Sequence, residues 1–201
     1  MEVIHSTKKL LIETTAGLLA EFPSRQITSD QVLERSHVSK GSLYHHFHDL
    51  GDLIEAAQVE RFSQYVDQTI AALADVLTDS TDLASARAKF HDVVNIRQPD
   101  NAQRLRIERM ETAVLANYDE RIRVRLSREQ ARLTSEWANL FQVALDRGWA
   151  NPDLDPVAVS IIMQATIAGR IVDDISDVHM DQAKWVSLIQ YLLDVIFFVN
   201  R

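Results

Sequence analysis

An all-α fold of about nine helices is what this sequence predicts, and three observations carry the expectation. Glycine and proline together supply only 9 of 201 residues, below the usual share of about 12%. Apolar residues recur at helical spacing along most of the chain, and the alternation of a half-buried strand is nowhere convincing. The composition, 46% hydrophobic and 25% charged, is that of a globular protein and excludes disordered and fibrous classes. A chain of 201 residues suits one large domain or two small ones with real cores.

The elements follow in order. Thr7 to Glu21 forms a helix that buries Leu11, Ala16, Leu18, Leu19 and Phe22, and Pro23 ends it. Thr28-Ser29-Asp30-Gln31 fits a capping box, opening a short helix with Val32 and Leu33 inward. Ser39 caps the next short helix, whose apolar members are Leu43, Tyr44 and Phe47. Asp49 opens a long helix to about Leu77 with Leu53, Ile54, Ala57, Phe62, Val66, Ile70, Leu73 and Leu77 as its buried stripe. A connection over Thr78 to Asp82 leads to a helix ending near Arg97, and Pro99-Asp100-Asn101 breaks it and caps another to about Ala116. Asn117-Tyr118-Asp119 is a turn, after which a long helix runs from Glu120 to Arg147 and stops at Gly148. Asp155 and Pro156 begin a helix to about Ser176, where Arg170 with Asp173 and Asp174 reads as a surface pair at helical spacing. A final helix covers Asp181 to Asn200.

Several chemistries are excluded or unsupported. With no cysteine, disulfide frameworks, thiol catalysis and cysteine-bearing zinc fingers are out. Five of the seven histidines (His5, His37, His45, His46, His48) lie in the first 50 residues, but adjacent helical histidines diverge by about 100° and no acidic partner is evident, so no metal is expected. Glu34-x-x-His37 is half of a di-iron pattern without its second copy. Neither a glycine-rich phosphate loop nor a Gly-x-Ser-x-Gly elbow occurs, and neither catalytic residues nor a cofactor are expected. The apolar run after Lys8 and Lys9 is cut by Glu13, which denies it the h-region of a secretory signal. Trp185 to Val199 holds Ser187, Gln190 and Asp194 and is too short and polar to span a bilayer. The expectation is a cytoplasmic protein with no membrane partner.

The informative stretch is Thr28 to Asp52. Two short helices joined by a tight turn, the second opening with small polar residues, are what a helix-turn-helix needs. Ser39, Lys40, Gly41 and Ser42 give the second helix a thin polar edge able to enter a major groove. Tyr44, His45 and His46 follow at its end, placed for phosphates on the groove wall, with Thr28 and Lys8 as further phosphate contacts. The sequence here resembles the TetR family of bacterial transcriptional regulators. Ten consecutive residues carry the resemblance, Val38-Ser39-Lys40-Gly41-Ser42-Leu43-Tyr44-His45-His46-Phe47, supported by Thr28, Val32 and Leu53. It covers about residues 7–57; beyond them only helical layout and length agree.

The resemblance implies a helix-turn-helix domain over residues 1–50 and a helical ligand-binding and dimerisation domain over residues 51–201. It implies a homodimer, most simply a repressor, that binds a palindromic double-stranded DNA operator and is released by a small-molecule effector. The alternatives are a dimeric helical sensor or scaffold without DNA binding and an all-helical enzyme using the central cavity. Three positions depart from the family pattern. Ser36-His37 stands where Ala-Gly is customary, which places His37 at positive φ at a cost on the order of 1 kcal/mol. Leu33 replaces a small residue where two helices approach, and Leu50-Gly51 replaces Lys-Glu, removing a phosphate contact.

Twelve of the fifteen residues from Trp185 to Val199 are hydrophobic, more than one buried face absorbs. Together with the preceding helix they suggest a dimer interface of Ile161, Ala165, Ala168, Gly169, Val172, Trp185, Leu188, Ile189, Leu192 and Ile196. Candidate effector contacts are Phe62, Tyr65, Phe90, His91, Met110, Trp137, Phe141, Met163, Gln164 and Ile167 on the middle helices, each of which also suits plain core or surface. Of the net charge of -8, residues 1–50 carry only one negative unit. DNA binding would therefore rely on a few aligned contacts rather than bulk charge, and would tighten below about pH 6.5, where histidines charge.

Overall fold

A computed structural model of the chain describes residues 2–95 and 102–198. Ten α-helices run in order among the described residues: α1 (Glu2–Glu21), α2 (Ser29–Ser36), α3 (Lys40–His46), α4 (Leu50–Asp79), α5 (Leu83–Asn95), α6 (Ala102–Leu115), α7 (Glu120–Asp146), α8 (Pro156–Gly169), α9 (Ile171–Asp174) and α10 (Gln182–Leu192). No strand forms among them; one antiparallel bridge joins Ala150 and Phe198. The fold is all-α, as the sequence predicts. The break expected at Pro99-Asp100-Asn101 lies outside the described residues.

The chain divides into two compact units, residues 1–65 with 108–129 and residues 66–107 with 130–201. In the first, α1 packs on α2 and α3. Leu11, Leu18 and Leu19 meet Val32, Leu43, Phe47 and Leu53 in one core, with Leu33, Val38 and Leu50 half-buried at its edge. The apolar Leu33 and Leu50 thus have a structural use as well as an effect on the surface. A pair unmarked in the sequence crosses this unit: Arg61 grips both carboxylate oxygens of Glu108 and donates to the carbonyl of Ala16 at 3.2 Å.

The turn between α2 and α3 follows from two side chains. His37 takes the left-handed conformation at φ 55° and ψ 24°, as expected for a residue standing in a glycine position. Beside it the hydroxyl of buried Ser36 accepts the amide of Val38 at 3.3 Å, so Ser36 serves the turn that His37 strains. Replacing His37 by Gly should relieve the Cβ clash. We expect a gain of about 0.5–1 kcal/mol after the added freedom of the unfolded chain, and a Tm rise of about 1–4 °C by calorimetry. A lowered Tm would show that the histidine side chain stabilises the turn.

In the second unit Leu133, Trp137, Leu140 and Phe141 of α7 are buried, as are Val159 and Met163 of α8, and Gly148 ends α7 at φ 68°. The oxygen of Asp155 caps α8 on the amide of Ala158 at 2.7 Å, with Pro156 in the first turn. Three expectations need correction here. The helix from Asp155 does not run smoothly to Ser176: it breaks after Gly169, the weakest helix former but proline, and resumes briefly as α9. Nor do Arg170, Asp173 and Asp174 form a surface pair. Asp174 accepts both Nε and Nη2 of Arg106, at 2.5 and 2.6 Å, with both side chains buried. Arg170 instead donates to Gln182 and lies over Trp185, while Asp173 accepts the amide of Met180. The last helix also ends early. After Leu192 it widens into a π-helical turn over Leu193–Phe197, which turns Phe198 into the core beside Ala150.

Candidate functional site

The face of the first unit formed by α2 and α3 is set by caps. Thr28 accepts the amide of Gln31 at 3.3 Å while the Gln31 side chain accepts the amide of Thr28 at 2.8 Å, the reciprocal capping box of α2. Ser39 accepts the amide of Ser42 at 3.2 Å and fixes the start of α3. Thr28 and Ser39 therefore each hold a helix end, and each keeps an exposed outer side. Within α3, Leu43 is fully buried and Phe47 just beyond it nearly so. That anchoring turns Ser39, Lys40, Gly41, Tyr44 and His45 outward, with Ser42 and His46 half-buried. Tyr44, expected among the apolar members of α3, is 46% exposed. A Cβ at Gly41 would meet nothing within 4 Å, so no neighbour in the chain demands glycine there.

Lys8 reaches this region from α1, its ammonium 5.3 Å from the centre of the Phe47 ring. The rings of His45 and His46 meet edge-on at 5.1 Å. Partial burial, then the charges of His45 and Lys8, hold the His46 imidazolium below the ordinary histidine value. Arg35, one of the five basic residues in this region, is taken by Glu21 in a two-pronged pair at 2.6 and 3.0 Å. Asp49 caps α4 on the amide of Asp52 at 2.9 Å and accepts from His48, and these bonds hold its carboxyl below the usual range.

The candidate dimer residues are mostly outward-facing. Ile161, Val172, Leu188 and Leu192 are 52, 70, 50 and 37% exposed, and Ala165, Ala168 and Gly169 are exposed beside them. Trp185 is half-buried under Arg170. Ile189 is a correction: at 6% exposure it faces its own core, because α10 turns that side toward the unit. The side chain of Ile196 lies outside the described residues. Val157, Ile162, Tyr191 and Val195, absent from the expected set, extend the exposed apolar surface. By length and composition alone, the Pro156–Asp174 stretch is long and apolar enough to cross a membrane. Its end, however, carries Arg170 and the Arg106–Asp174 pair.

An apolar pocket of about 440 Å³, counting its open mouth, lies in the second unit between Val76, Ala86, Phe90, Leu140, Phe141, Ala144, Trp149 and Phe198. Phe90 and Phe141 are the two expected contacts that line it. Trp137 stands behind, edge-on to Phe90 at 6.0 Å, and Met163 is buried. Gln164 bonds Gln130, Thr134 and Ser160, and Ile167 is half-buried. His91 lies 3.1 Å from Asp194. Phe62, Tyr65 and Met110 belong to the first unit, where Phe62 is core, Tyr65 underlies Arg109, and Met110 is 39% exposed. Sequence reasoning passed over Ala86 and Ala144 because small side chains give no signal, and Phe198 because only the π-turn delivers it.

Residues 11–57 match the model of the bacterial regulatory proteins of the tetR family. The chain is similar over 96% of its length to a TetR transcription regulator from Haloarcula marismortui, with 99% of that chain covered, 14% identity and a TM-score of 0.69. A TetR transcriptional regulator from Chloroflexus aurantiacus matches with 100% of both chains covered, 18% identity and a TM-score of 0.65. The E. coli protein NemR in its reduced form matches at 13% identity and a TM-score of 0.66, over 95% of this chain and 97% of its own. No curated protein sequence matches the chain.

Proposed function

We propose that this chain, whose residues 11–57 belong to the tetR family of bacterial regulatory proteins, is a ligand-responsive repressor and not an enzyme. It works in the cytoplasm as a homodimer, grips a palindromic operator and lets go when a small molecule fills the second unit. The exposed edge of α3 carries this reading. Leu43 and Phe47 are spent on the core, which leaves Ser39, Lys40 and Gly41 presented to a groove and Tyr44 and His45 to its walls. The bare Gly41, required by nothing inside the chain, lets backbone approach base edges closely.

The second copy is the occupant that best suits α8 and α10, since symmetry places two α3 helices at half-sites about one DNA turn apart. An effector would release DNA by favouring dimer states whose α3 spacing misses that distance.

Operator binding by Lys40→Ala and Tyr44→Ala, measured by anisotropy at fixed salt, tests the site. Each change falls in both half-sites, so affinity should drop at least about tenfold for each; unchanged affinity in both variants would overturn the reading. Acid should act oppositely. His46 is depressed in the free protein, and a nearby phosphate raises it, so binding takes up a proton. Affinity therefore climbs as pH falls from roughly 8 to 5.5, most steeply below the ordinary histidine value. In a His45→Gln, His46→Gln variant that slope should flatten; an undiminished slope would remove the histidines from the interface.

A further inference from the structure

We infer that the pocket of the second unit takes a small, uncharged, chiefly hydrocarbon molecule and rejects acids and amines of the same shape. This ligand class rests on the effector reading above and narrows it.

The space exists because Ala86 and Ala144 are small where their neighbours Phe90, Phe141, Trp149 and Phe198 are large. Four aromatic side chains give a guest flat apolar walls, and among the described residues no charged or hydroxyl-bearing side chain lines the pocket. An ion entering it would shed its water and find nothing in return, whereas a hydrocarbon loses only water it holds poorly.

The charges beside the pocket reinforce the exclusion. Arg87 lies with its guanidinium 5.1 Å from the centre of the Phe198 ring. It is already matched with Asp194, whose Oδ1 sits 3.1 Å from Arg87 Nε and 3.1 Å from His91 Nε2. Neither Arg87 nor Asp194 lines the pocket, and because each already answers the other, neither sign is left over to hold an ionic guest. These three atoms are buried and, despite the distances, make no well-aligned hydrogen bond. The cluster is neutralised by charge alone and offers no spare cation to capture an acid.

Three isosteric probes separate the cases: propylbenzene, phenylacetate and phenethylamine, each titrated into the full chain with tryptophan fluorescence and calorimetry as readouts. Propylbenzene should bind roughly 100-fold more tightly than either ion, in line with the cost of desolvating a charge. Filling the space with Ala144→Phe, or more gently with Ala86→Leu, should abolish uptake while circular dichroism stays that of the parent. Either ion binding as tightly as propylbenzene, uptake undiminished in both filled variants, or no uptake of propylbenzene would overturn the assignment. Operator binding is read separately. A chain that takes propylbenzene but holds no operator refutes the regulator and leaves the pocket assignment standing; operator binding without uptake does the reverse.

Discussion

The double variant Ile161→Asp, Leu188→Asp is expected to sediment as a monomer and to bind the operator about 10²- to 10⁴-fold more weakly than the parent, the loss of effective concentration that follows when two half-site readers are uncoupled. Ile161 lies on α8 and Leu188 on α10, and both are about half exposed in the single chain, at 52 and 50%. Their neighbours Val157, Ile162, Tyr191 and Val195 are exposed as well. This many large apolar side chains exposed on two helices is what an interaction site presents. Because the substituted side chains are not core, monomer helicity should survive, and circular dichroism separates lost assembly from lost folding. A buried control, Ile189→Asp, should instead unfold the second unit, since Ile189 is 6% exposed. A double variant that still sediments as a dimer with parental operator affinity would place the interface elsewhere.

Asp174→Ala should destabilise the second unit by about 3–5 kcal/mol, because it removes one partner of a buried charge pair. The side chains of Arg106 and Asp174 are 6 and 7% exposed, and Gln103 also bonds the backbone oxygen of Asp174 at 2.8 Å. At this chain length such a loss lowers Tm by roughly 6–20 °C. Hydrogen bonds from Arg106, the largest influence, hold the Asp174 carboxyl below its ordinary value near 3.8. The contribution is therefore complete above that value and fades as pH falls through the lowered one. The difference between parent and variant should be flat from neutral pH to about pH 5 and shrink in stronger acid. Replacing both partners, as Arg106→Met with Asp174→Leu, should recover most of the loss, since breaking a buried pair costs more than exchanging it for apolar groups. If Asp174→Ala leaves Tm unchanged, the pair is hydrated in solution and carries no such weight.

The parts legible in the sequence are those whose signals lie within a few residues of one another. The capping box at Thr28 and Gln31, the cap at Ser39, and the stops at Pro23 and Gly148 are each a local backbone decision, and each appears where the residues place it, while the left-handed turn at His37 is where the family resemblance implies it. The edge of α3 was readable for the same reason: buried Leu43 and Phe47 fix which side faces out. The pocket was legible only in Phe90 and Phe141. Its alanines are visible as a cavity only once their distant neighbours are in place.

By itself, then, the sequence determined an all-helical chain with a helix-turn-helix between about Thr28 and Asp52, because caps, turn formers and apolar periodicity act at short range. Only the tertiary structure decided which charges pair. Arg61 with Glu108 and Arg106 with Asp174 stand 47 and 68 residues apart, a separation no helical spacing rule spans. It also decided the break after Gly169 and the π-turn that brings Phe198 to the pocket. Those choices belong to long-range burial, where a charge must find its partner and an aromatic ring its cavity, and neighbours in the chain carry no record of either.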